Sequence, residues 1–404
     1  MGSRVRNSLL ASLVVAAVVS PMFLGHLSDA AATSDAADYQ AGRKPPRRTA
    51  PPPPSEESEA PEKLATPGQS GRERPAQVDS RSPQRSSGPV IDAQGEIITL
   101  GSQLVSVPVV VFEKKTGRLI LNLKKDNFTV FEDDVKQQLS TFSSEDSPIT
   151  LVMVLEYSRQ VIWFRDEVLY PAALFVTRFV KPKDFIAVVA YDIRPAVLSD
   201  FTDSPAQLQA AVNILFRNLP AFSESNLFST LDFVLRGGKL DGLEYNGLSE
   251  VEGRTAILLV STGLDTFSQI NYDQARKIVE NSGVPIYIIG IGQLLYLLIE
   301  HKLPPEARLT YLQARNTLST FATSSGGRFY DVRFQGEIPS VLESISAMMR
   351  NQYALGYLST NTRREGKRRK IKVFVDIDGD GKPDNDKFEV QYRQSYVEPK
   401  DKKK

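Results

Sequence analysis

The sequence predicts an α/β fold in which a doubly wound, mostly parallel sheet is flanked by a small antiparallel β-sandwich. Short apolar runs recur along the middle of the chain, and segments of helical periodicity separate them. Further strand-like runs on both sides of this region follow one another without helices. Parallel strands need a crossover, usually a helix, whereas strands joined by short turns pair antiparallel. The two patterns therefore predict two kinds of sheet.

The chain begins with a pattern typical of secretory signal peptides. Two arginines precede an apolar run at 9–24, and alanines 30–32 follow it. The run of roughly 16 residues is shorter than the about 20 that a membrane-spanning helix needs. We interpret residues 1–32 as a cleaved signal peptide, with an uncleaved membrane anchor as the alternative. The protein is then exported to the periplasm, the outer surface or the extracellular medium.

Residues 33–90 differ from the rest of the chain in composition. Prolines recur throughout, with four in a row at 51–54, and large apolar residues are nearly absent. Such a segment cannot bury enough apolar surface to offset the entropy lost on ordering. We predict a disordered, partly extended linker here, and a basic tail at 397–404.

The α/β domain is predicted over residues 148–351. Its apolar runs are continuous, as is typical of strands covered on both faces of a parallel sheet. The predicted strands are LVMVLEY (151–157), IAVVAYD (186–192), AILLVS (256–261) and IYIIGIG (286–292). The predicted helices cover roughly 162–180, 205–218, 227–237, 272–282, 306–324 and 337–350.

The flanking β-sandwich is predicted from residues 91–147 and 352–396. We expect its N-terminal and C-terminal strands to pair with each other, and the last two strands to form a hairpin. The strand-like runs are QLVSVPVVV (103–111), NFTVFED (127–133), QYALGYLS (352–359), KIKVFVD (370–376) and KFEVQYR (387–393).

Two further segments are distinctive in composition. The basic run at 363–370 is expected to be a solvated strand connection, because lysine and arginine protect sheet edges. The apolar segment LLYLLIEH (294–301) is expected to be a core helix, with an exposed docking patch as the alternative.

Composition excludes several classes of chemistry. The chain has no cysteine and only two histidines, His26 and His301, of which the first lies in the predicted signal peptide. Hydrolases of the Ser-His-Asp type need a histidine base, and zinc proteases of the HExxH type need two histidines on one helix. The net charge of +1 argues against binding to nucleic acid. We therefore predict that the protein is not an enzyme and meets membranes only through an uncleaved signal sequence.

Several motifs occur in an order that resembles a known family. GRLILNLKKDNFTVFEDDVKQQLSTF (117–142) precedes the segments LEYSRQ, NLFSTLDFVL and ILLVSTGLDT, and YALGY (353–357) and VQYRQSY (390–396) close the chain. This order resembles the VWFA-related proteins described from Acidobacteria, which contain a von Willebrand factor A domain. The resemblance covers roughly residues 100–396. It implies a Rossmann-type α/β domain that binds a protein ligand at the carboxyl ends of its parallel strands.

The resemblance also implies a divalent ion on that face, held by a D-x-S-x-S loop, a Thr on a second loop and an Asp on a third. The counterparts here are Glu156, Ser158 and Gln160 on the first loop, Ser225 on the second and Asp265 on the third, where Thr262 occupies the expected Asp position. Glu is longer than Asp by about 1.5 Å, whereas Mg²⁺ demands near-ideal octahedral contacts. We predict a degenerate metal-dependent adhesion site that binds little or no Mg²⁺. The plainer alternative is that Glu156 and Ser158 only satisfy loop backbone groups.

A second acidic segment, DIDGDGKPD (376–384), resembles the first part of an EF-hand-like calcium loop. Its carboxylates are Asp376, Asp378, Asp380 and Asp384. Lys387 stands where a bidentate Glu is expected, so the predicted calcium affinity is weak, with a Kd of about 10⁻⁴–10⁻³ M. An Asp- and Gly-rich turn without an ion is the alternative.

These features together predict an exported, non-enzymatic protein-interaction or adhesion module. No cofactor is certain, and Ca²⁺ in the acidic loop and Mg²⁺ at the degenerate site stay open. One alternative is an envelope structural or assembly factor that acts through its β-sheet edges and has the calcium-binding hairpin. A hydrolase built on Glu156, Asp265 and a metal is the third choice.

Overall fold

The computed structural model describes residues 104–144, 148–251, 253–363 and 365–398, together with the backbone of two short strands at 90–91 and 97–98. The predicted signal peptide, nearly all of the predicted linker and most of the basic tail lie outside the described residues. The described residues from 104 onward belong to one compact unit, and the two short strands belong to another. Within the described part of the chain, no helix is long and apolar enough to cross a membrane.

The described strands and helices follow each other in this order. The strands are β1 (Val90–Ile91), β2 (Ile97–Ile98), β3 (Leu104–Glu113), β4 (Phe128–Glu132), β5 (Val135–Gln137), β6 (Leu139–Ser143), β7 (Ile149–Glu156), β8 (Phe185–Tyr191), β9 (Pro195–Thr202), β10 (Gly237–Leu240), β11 (Leu243–Asn246), β12 (Arg254–Ser261), β13 (Ile286–Gly290), β14 (Phe329–Asp331), β15 (Tyr353–Leu358), β16 (Arg368–Val375), β17 (Phe388–Gln391) and β18 (Ser395–Val397). The α-helices are α1 (Arg165–Arg178), α2 (Pro205–Arg217), α3 (Leu227–Arg236), α4 (Tyr272–Ser282), α5 (Gln293–Ile299), α6 (Pro305–Ser325) and α7 (Ile338–Arg350).

The central sheet has six strands in the order β14-β13-β12-β7-β8-β9. All neighbours are parallel except the edge pair of β8 and β9. All residues of β7 are buried, as the continuous apolar run predicts for a central parallel strand. The strand order reverses between β7 and β12, so the doubly wound prediction is confirmed. In such sheets, ligands bind outside the carboxyl ends of the strands at this reversal.

Helices cover both faces of this sheet. Alternate residues of β7 face opposite sides, so that Leu151, Met153 and Leu155 pack in one core and Val152 and Val154 in the other. Apolar side chains of α1, α2 and α7 fill the first core. Apolar side chains of α3, α4 and α6 fill the second.

The flanking strands form two four-stranded sheets, ordered β17-β3-β15-β6 and β18-β16-β4-β5. Strands from the two ends of the described region pair antiparallel, β15 with β3 and β16 with β4. The predicted C-terminal hairpin is wrong, because β16 pairs with β4 and β18 whereas β17 pairs with β3 in the other sheet. Both edges of β16 are already occupied, so the Asp-rich segment connects the two sheets of the sandwich.

Of two expectations about core and surface, the first is wrong and the second is confirmed in part. The segment at 294–301 contains the helix α5, whose leucines at 294, 297 and 298 are exposed, so the alternative of an exposed patch fits it better than a core helix. The basic run at 363–370 is only partly solvated. Arg369 is buried and pairs with Glu398 and Glu132, and Arg368 pairs with Glu280 of α4 at 2.8 Å. These arginines hold strands and layers together.

Candidate functional site

The predicted metal-site residues lie where three strands end side by side. Tyr191, Glu156 and Ser261 are the last residues of the adjacent strands β8, β7 and β12. Three loops border this point: the first loop (157–164) after β7, the second loop (218–226) before α3, and the third loop (262–271) after β12. The carboxyl ends of parallel strands meet at one edge of the sheet, which brings these loops together.

Hydrogen bonds join the three loops through the second. The backbone N–H of Arg159 donates to the carbonyl of Phe222 at 2.7 Å. The backbone N–H of Thr266 in the third loop donates to the carbonyl of Ser225 at 2.8 Å. The loops therefore form one connected surface over the strand ends.

Glu156 is wholly buried, and its carboxylate accepts hydrogen bonds from the third loop and its neighbours. Its Oε2 accepts from the backbone N–H of Thr262 at 2.8 Å, from the Thr262 hydroxyl at 2.9 Å and from the Ser261 hydroxyl at 3.0 Å. Burial raises the pKa of Glu156, and these hydrogen bonds offset part of that rise. The carboxylate is thus directed at protein donors.

Tyr191 is a site residue that the sequence analysis missed. Its ring is buried, and its hydroxyl lies 2.8 Å from Ser261 Oγ and 3.4 Å from Glu156 Oε2. Burial and the nearby Glu156 carboxylate raise the pKa of Tyr191 well above its usual range, so the hydroxyl keeps its proton. The available signal was its position as the last residue of a strand beside β7, in register with Glu156.

The other predicted ligands have separate partners. The Gln160 side chain donates to the carbonyl of Ser223 at 2.7 Å, and the Ser225 hydroxyl donates to the carbonyl of Leu264 at 2.8 Å. The buried Ser158 hydroxyl has no hydrogen-bond partner among the described residues.

Asp265 stabilises the start of a helix. Its carboxylate accepts from the backbone N–H of Phe228 in the first turn of α3, at 3.2 Å, and from the Ser268 hydroxyl. Free N–H groups at a helix start favour a carboxylate at this position. Burial raises the pKa of Asp265, and these hydrogen bonds reduce the rise. Asp265 and Glu156 therefore have different hydrogen-bond partners among the described residues.

This donor set fits a resident magnesium ion poorly. Mg²⁺ needs about six oxygens arranged octahedrally at 2.0–2.1 Å. Glu156 Oε2 accepts from N–H and O–H donors. Asp265 accepts from a backbone N–H at the start of α3, and the Gln160 side chain donates to a carbonyl of the second loop. Of these candidate ligands, Ser158 alone has a hydroxyl without a partner among the described residues. The face can make contacts of its own without an ion.

The surface of the three loops carries exposed aromatic side chains. Trp163 in the first loop is 52% exposed, Phe222 in the second is 47% exposed and Phe267 in the third is 50% exposed. Burying large aromatic residues against a partner is a common source of binding energy at protein interfaces. The hydrogen-bonded strand ends therefore lie beneath a loop surface that exposes three aromatic side chains.

The acidic loop brings together three of its four predicted carboxylates. Oxygens of Asp376, Asp378 and Asp384 lie within 4.8 Å of one another. Asp380 is not part of this group, and its carboxylate accepts from the backbone N–H of Lys382 at 2.8 Å. The Asp384 carboxylate also accepts from the ammonium of Lys387 at 2.8 Å, which holds the pKa of Asp384 below its usual value. The residue at the expected bidentate position thus competes with a cation.

No protein-family profile matches the chain, and no curated protein sequence matches it. Among solved structures, proximal thread matrix protein 1 from the mussel byssus is 14% identical, covering 54% of this chain and 51% of its own, with a TM-score of 0.38. The von Willebrand factor domain of the pilus tip protein Mfa5 from Porphyromonas gingivalis is 15% identical, covering 50% and 95%, with a TM-score of 0.34. The conserved hypothetical protein BatB from Bacteroides thetaiotaomicron is 12% identical, covering 50% and 98%, with a TM-score of 0.33.

The chain spans about half the length of the mussel protein. Similarity at these identities and TM-scores does not assign a family, and we draw no functional conclusion from it.

Proposed function

We propose that the chain is an exported, non-enzymatic protein-interaction or adhesion module built on a von Willebrand factor A-like domain. Its binding face is the surface of the first, second and third loops at the carboxyl edge of the central sheet. The strand order supports the domain type, and the order of sequence motifs supports the VWFA-related family of Acidobacteria. Export rests on the N-terminal sequence pattern.

The exposed aromatic side chains of the three loops carry this proposal. Trp163, Phe222 and Phe267 project from loops whose backbones are fixed by mutual hydrogen bonds. An ordered aromatic surface loses little conformational entropy on binding, and aromatic residues are enriched in interface cores. The partner is therefore a protein that presents an apolar patch.

The proposal of a non-catalytic role rests on the residues at the face. The carboxylates of the face each accept a hydrogen bond from a backbone N–H: Glu156 from Thr262, Asp265 from Phe228 and Glu224 from Ser223. The histidine within the described residues, His301, is exposed on a short 3-10 helix at Glu300–Lys302.

Site-specific photocrosslinking in the envelope of the source cells tests the binding face. A photoreactive amino acid replaces Trp163, Phe222 or Phe267 in turn, and the exposed Leu243 of β11 provides the control position. We expect adducts with one common protein from the three loop positions and none from position 243. Adducts with no protein, or with different proteins at each position, would contradict the proposal.

A second candidate function is an envelope structural or assembly factor. The strand β5 is a sheet edge, and its Val135 is exposed, so a partner strand has room to pair there. The acidic loop, as a weak calcium site, would stiffen the same sandwich. A photoreactive residue at position 135 distinguishes the candidates, because adducts there and not at the loops favour this second function.

A further inference from the structure

We propose that the hydroxyl of Tyr191 takes the place of a divalent ion as the link between the strand ends and the third loop of the binding face. The inference concerns how the proposed face is held in shape, and it rests on the proposed function only in taking this face as the binding surface. The poor fit of the donor set to an ion is its starting point.

The position of the hydroxyl is fixed by packing and register. The Tyr191 ring is buried in the core beneath α3, α4 and α6, and its residue pairs with Glu156 across β7 and β8. Few rotamers fit such a site in a close-packed core, so the hydroxyl is held among the strand ends.

Two hydroxyl protons connect this cluster. Tyr191 Oη lies 2.8 Å from Ser261 Oγ, and both hydroxyls reach Glu156 Oε2, at 3.4 Å and 3.0 Å. Either tyrosine donates to serine and serine to the carboxylate, or the order is reversed. In both arrangements the carboxylate is the final acceptor. A cation at Glu156 Oε2 would have to compete with these protons.

The same cluster orders the third loop. Ser261 Oγ accepts from the backbone N–H of Gly263 at 2.8 Å, and Glu156 accepts from the backbone N–H of Thr262. The hydroxyl of Tyr191 therefore contacts the two side chains, Glu156 and Ser261, that hold the first residues of the third loop.

Replacing Tyr191 by Phe removes this hydroxyl and keeps the ring. The matched control is Tyr287→Phe on β13, because the Tyr287 hydroxyl is also buried but has no hydrogen-bond partner among the described residues. For Y191F we expect a Tm fall of roughly 3–8 °C, because two buried polar groups lose a partner. We also expect at least about tenfold faster hydrogen exchange at the amides of Thr262 and Gly263. Y287F should change neither.

Cation binding is measured in a D376N/D378N/D384N background, which silences the acidic loop. In that background we expect Mg²⁺ or Mn²⁺ up to about 5 mM to leave the Tm unchanged, since no ion site is present to shift it. An upward shift that the further change Glu156→Gln abolishes would show that an ion, and not Tyr191, links the strand ends and the third loop.

Unchanged exchange at Thr262 and Gly263 in Y191F would also overturn the proposal. If Y191F does not fold, Ser261→Ala interrupts the same cluster and is expected to speed exchange at the amide of Gly263. The proposed function fails separately, when the loop positions give no common crosslinked protein although the exchange results hold.

Discussion

Arg369 provides the sharpest stability prediction, because it links two buried carboxylates inside the sandwich. The residue is 4% exposed, and its guanidinium pairs with Glu398 and reaches Glu132 Oε1 at 3.4 Å. Glu132 also accepts from the hydroxyls of Tyr357 and Tyr396, at 2.8 Å and 2.9 Å. The cluster thus joins β4, β15, β16 and β18 across the sandwich.

Replacing Arg369 by Ala leaves two buried carboxylates without their cation. Breaking a buried ion pair by removing one partner costs about 3–5 kcal/mol, which corresponds to a Tm fall of roughly 6–20 °C in a domain of this size. Urea unfolding followed by circular dichroism measures the change in the free energy of unfolding. The neutral triple variant E132Q/R369M/E398Q should recover most of the loss, because no unpaired charge remains.

The control for this prediction is Lys372→Ala on the same strand. Lys372 pairs with Asp134, but both side chains are exposed, so the pair contributes little and the variant should unfold nearly as the wild type does. If R369A is no less stable than K372A, the buried cluster does not hold the sandwich together and the reasoning is refuted.

Three further predictions concern pH, glycine and calcium. Because burial raises the pKa of Glu156 above its ordinary 4.5, this group stabilises the fold most below that pH, and its contribution is lost as the pH rises through the folded-state pKa. The free energy of unfolding of wild type should therefore fall relative to E156Q as the pH rises above about 4.5 in urea titrations; a constant difference would contradict it. Gly263 has φ +79°, and a Cβ there would lie 2.5 Å from the carbonyl oxygen of Ala314. G263A should therefore destabilise the fold by at least about 2 kcal/mol. G381A, with no atom within 4 Å of the added Cβ, should cost less in the same assay. If the acidic loop binds Ca²⁺ with a Kd of about 1 mM, 10 mM Ca²⁺ should stabilise wild type by about 1.4 kcal/mol in calorimetry. The stability of D376N/D378N should not change with Ca²⁺. Equal responses of the two proteins would exclude the acidic loop as the site.

The sequence predicts the α/β domain well because its periodicities are strong. The four continuous apolar runs correspond to the strands β7, β8, β12 and β13, each within two residues of its predicted bounds. The weaker strands escaped prediction for physical reasons. The strand β14 has three residues, and β9 is an antiparallel edge strand with mixed polarity. The hairpin of β10 and β11 was missed, although Asp-Gly is a dipeptide typical of two-residue turns. In the structure, its turn residues Asp241 and Gly242 both have positive φ.

Pairing in the sandwich was harder to predict than the existence of its strands. The alternation of β16 identifies a strand with one buried face, but it does not identify the neighbours of that strand. Short separation in sequence favoured a hairpin with β17, and competition from β4 and β18 excluded it. Likewise, an arginine in a basic run gives no sign that Glu398 and Glu132 lie next to it in the fold.

The position of the candidate site in the fold was predictable, whereas the contacts of its side chains were not. The resemblance to the VWFA-related family implied that Glu156, Ser225 and Asp265 lie at one edge of the sheet, where the structure places them. Side-chain direction does not follow from spacing, so the use of Asp265 at the start of α3 was not predictable. Tyr191 was interpreted only as one residue of an apolar strand, because the sequence does not show whether a buried tyrosine also forms hydrogen bonds.

The most direct test of the account is the affinity of the crosslinked partner for W163A/F222A/F267A, measured by titration in the presence of a chelator. The control L121A/V135A/L243A removes exposed apolar side chains outside the three loops. The account predicts that wild type and control bind equally with and without chelator, and that the loop variant binds at least about 30-fold more weakly. Loss of wild-type binding in chelator, or equal losses in the two triple variants, would contradict an ion-independent binding face formed by these loops.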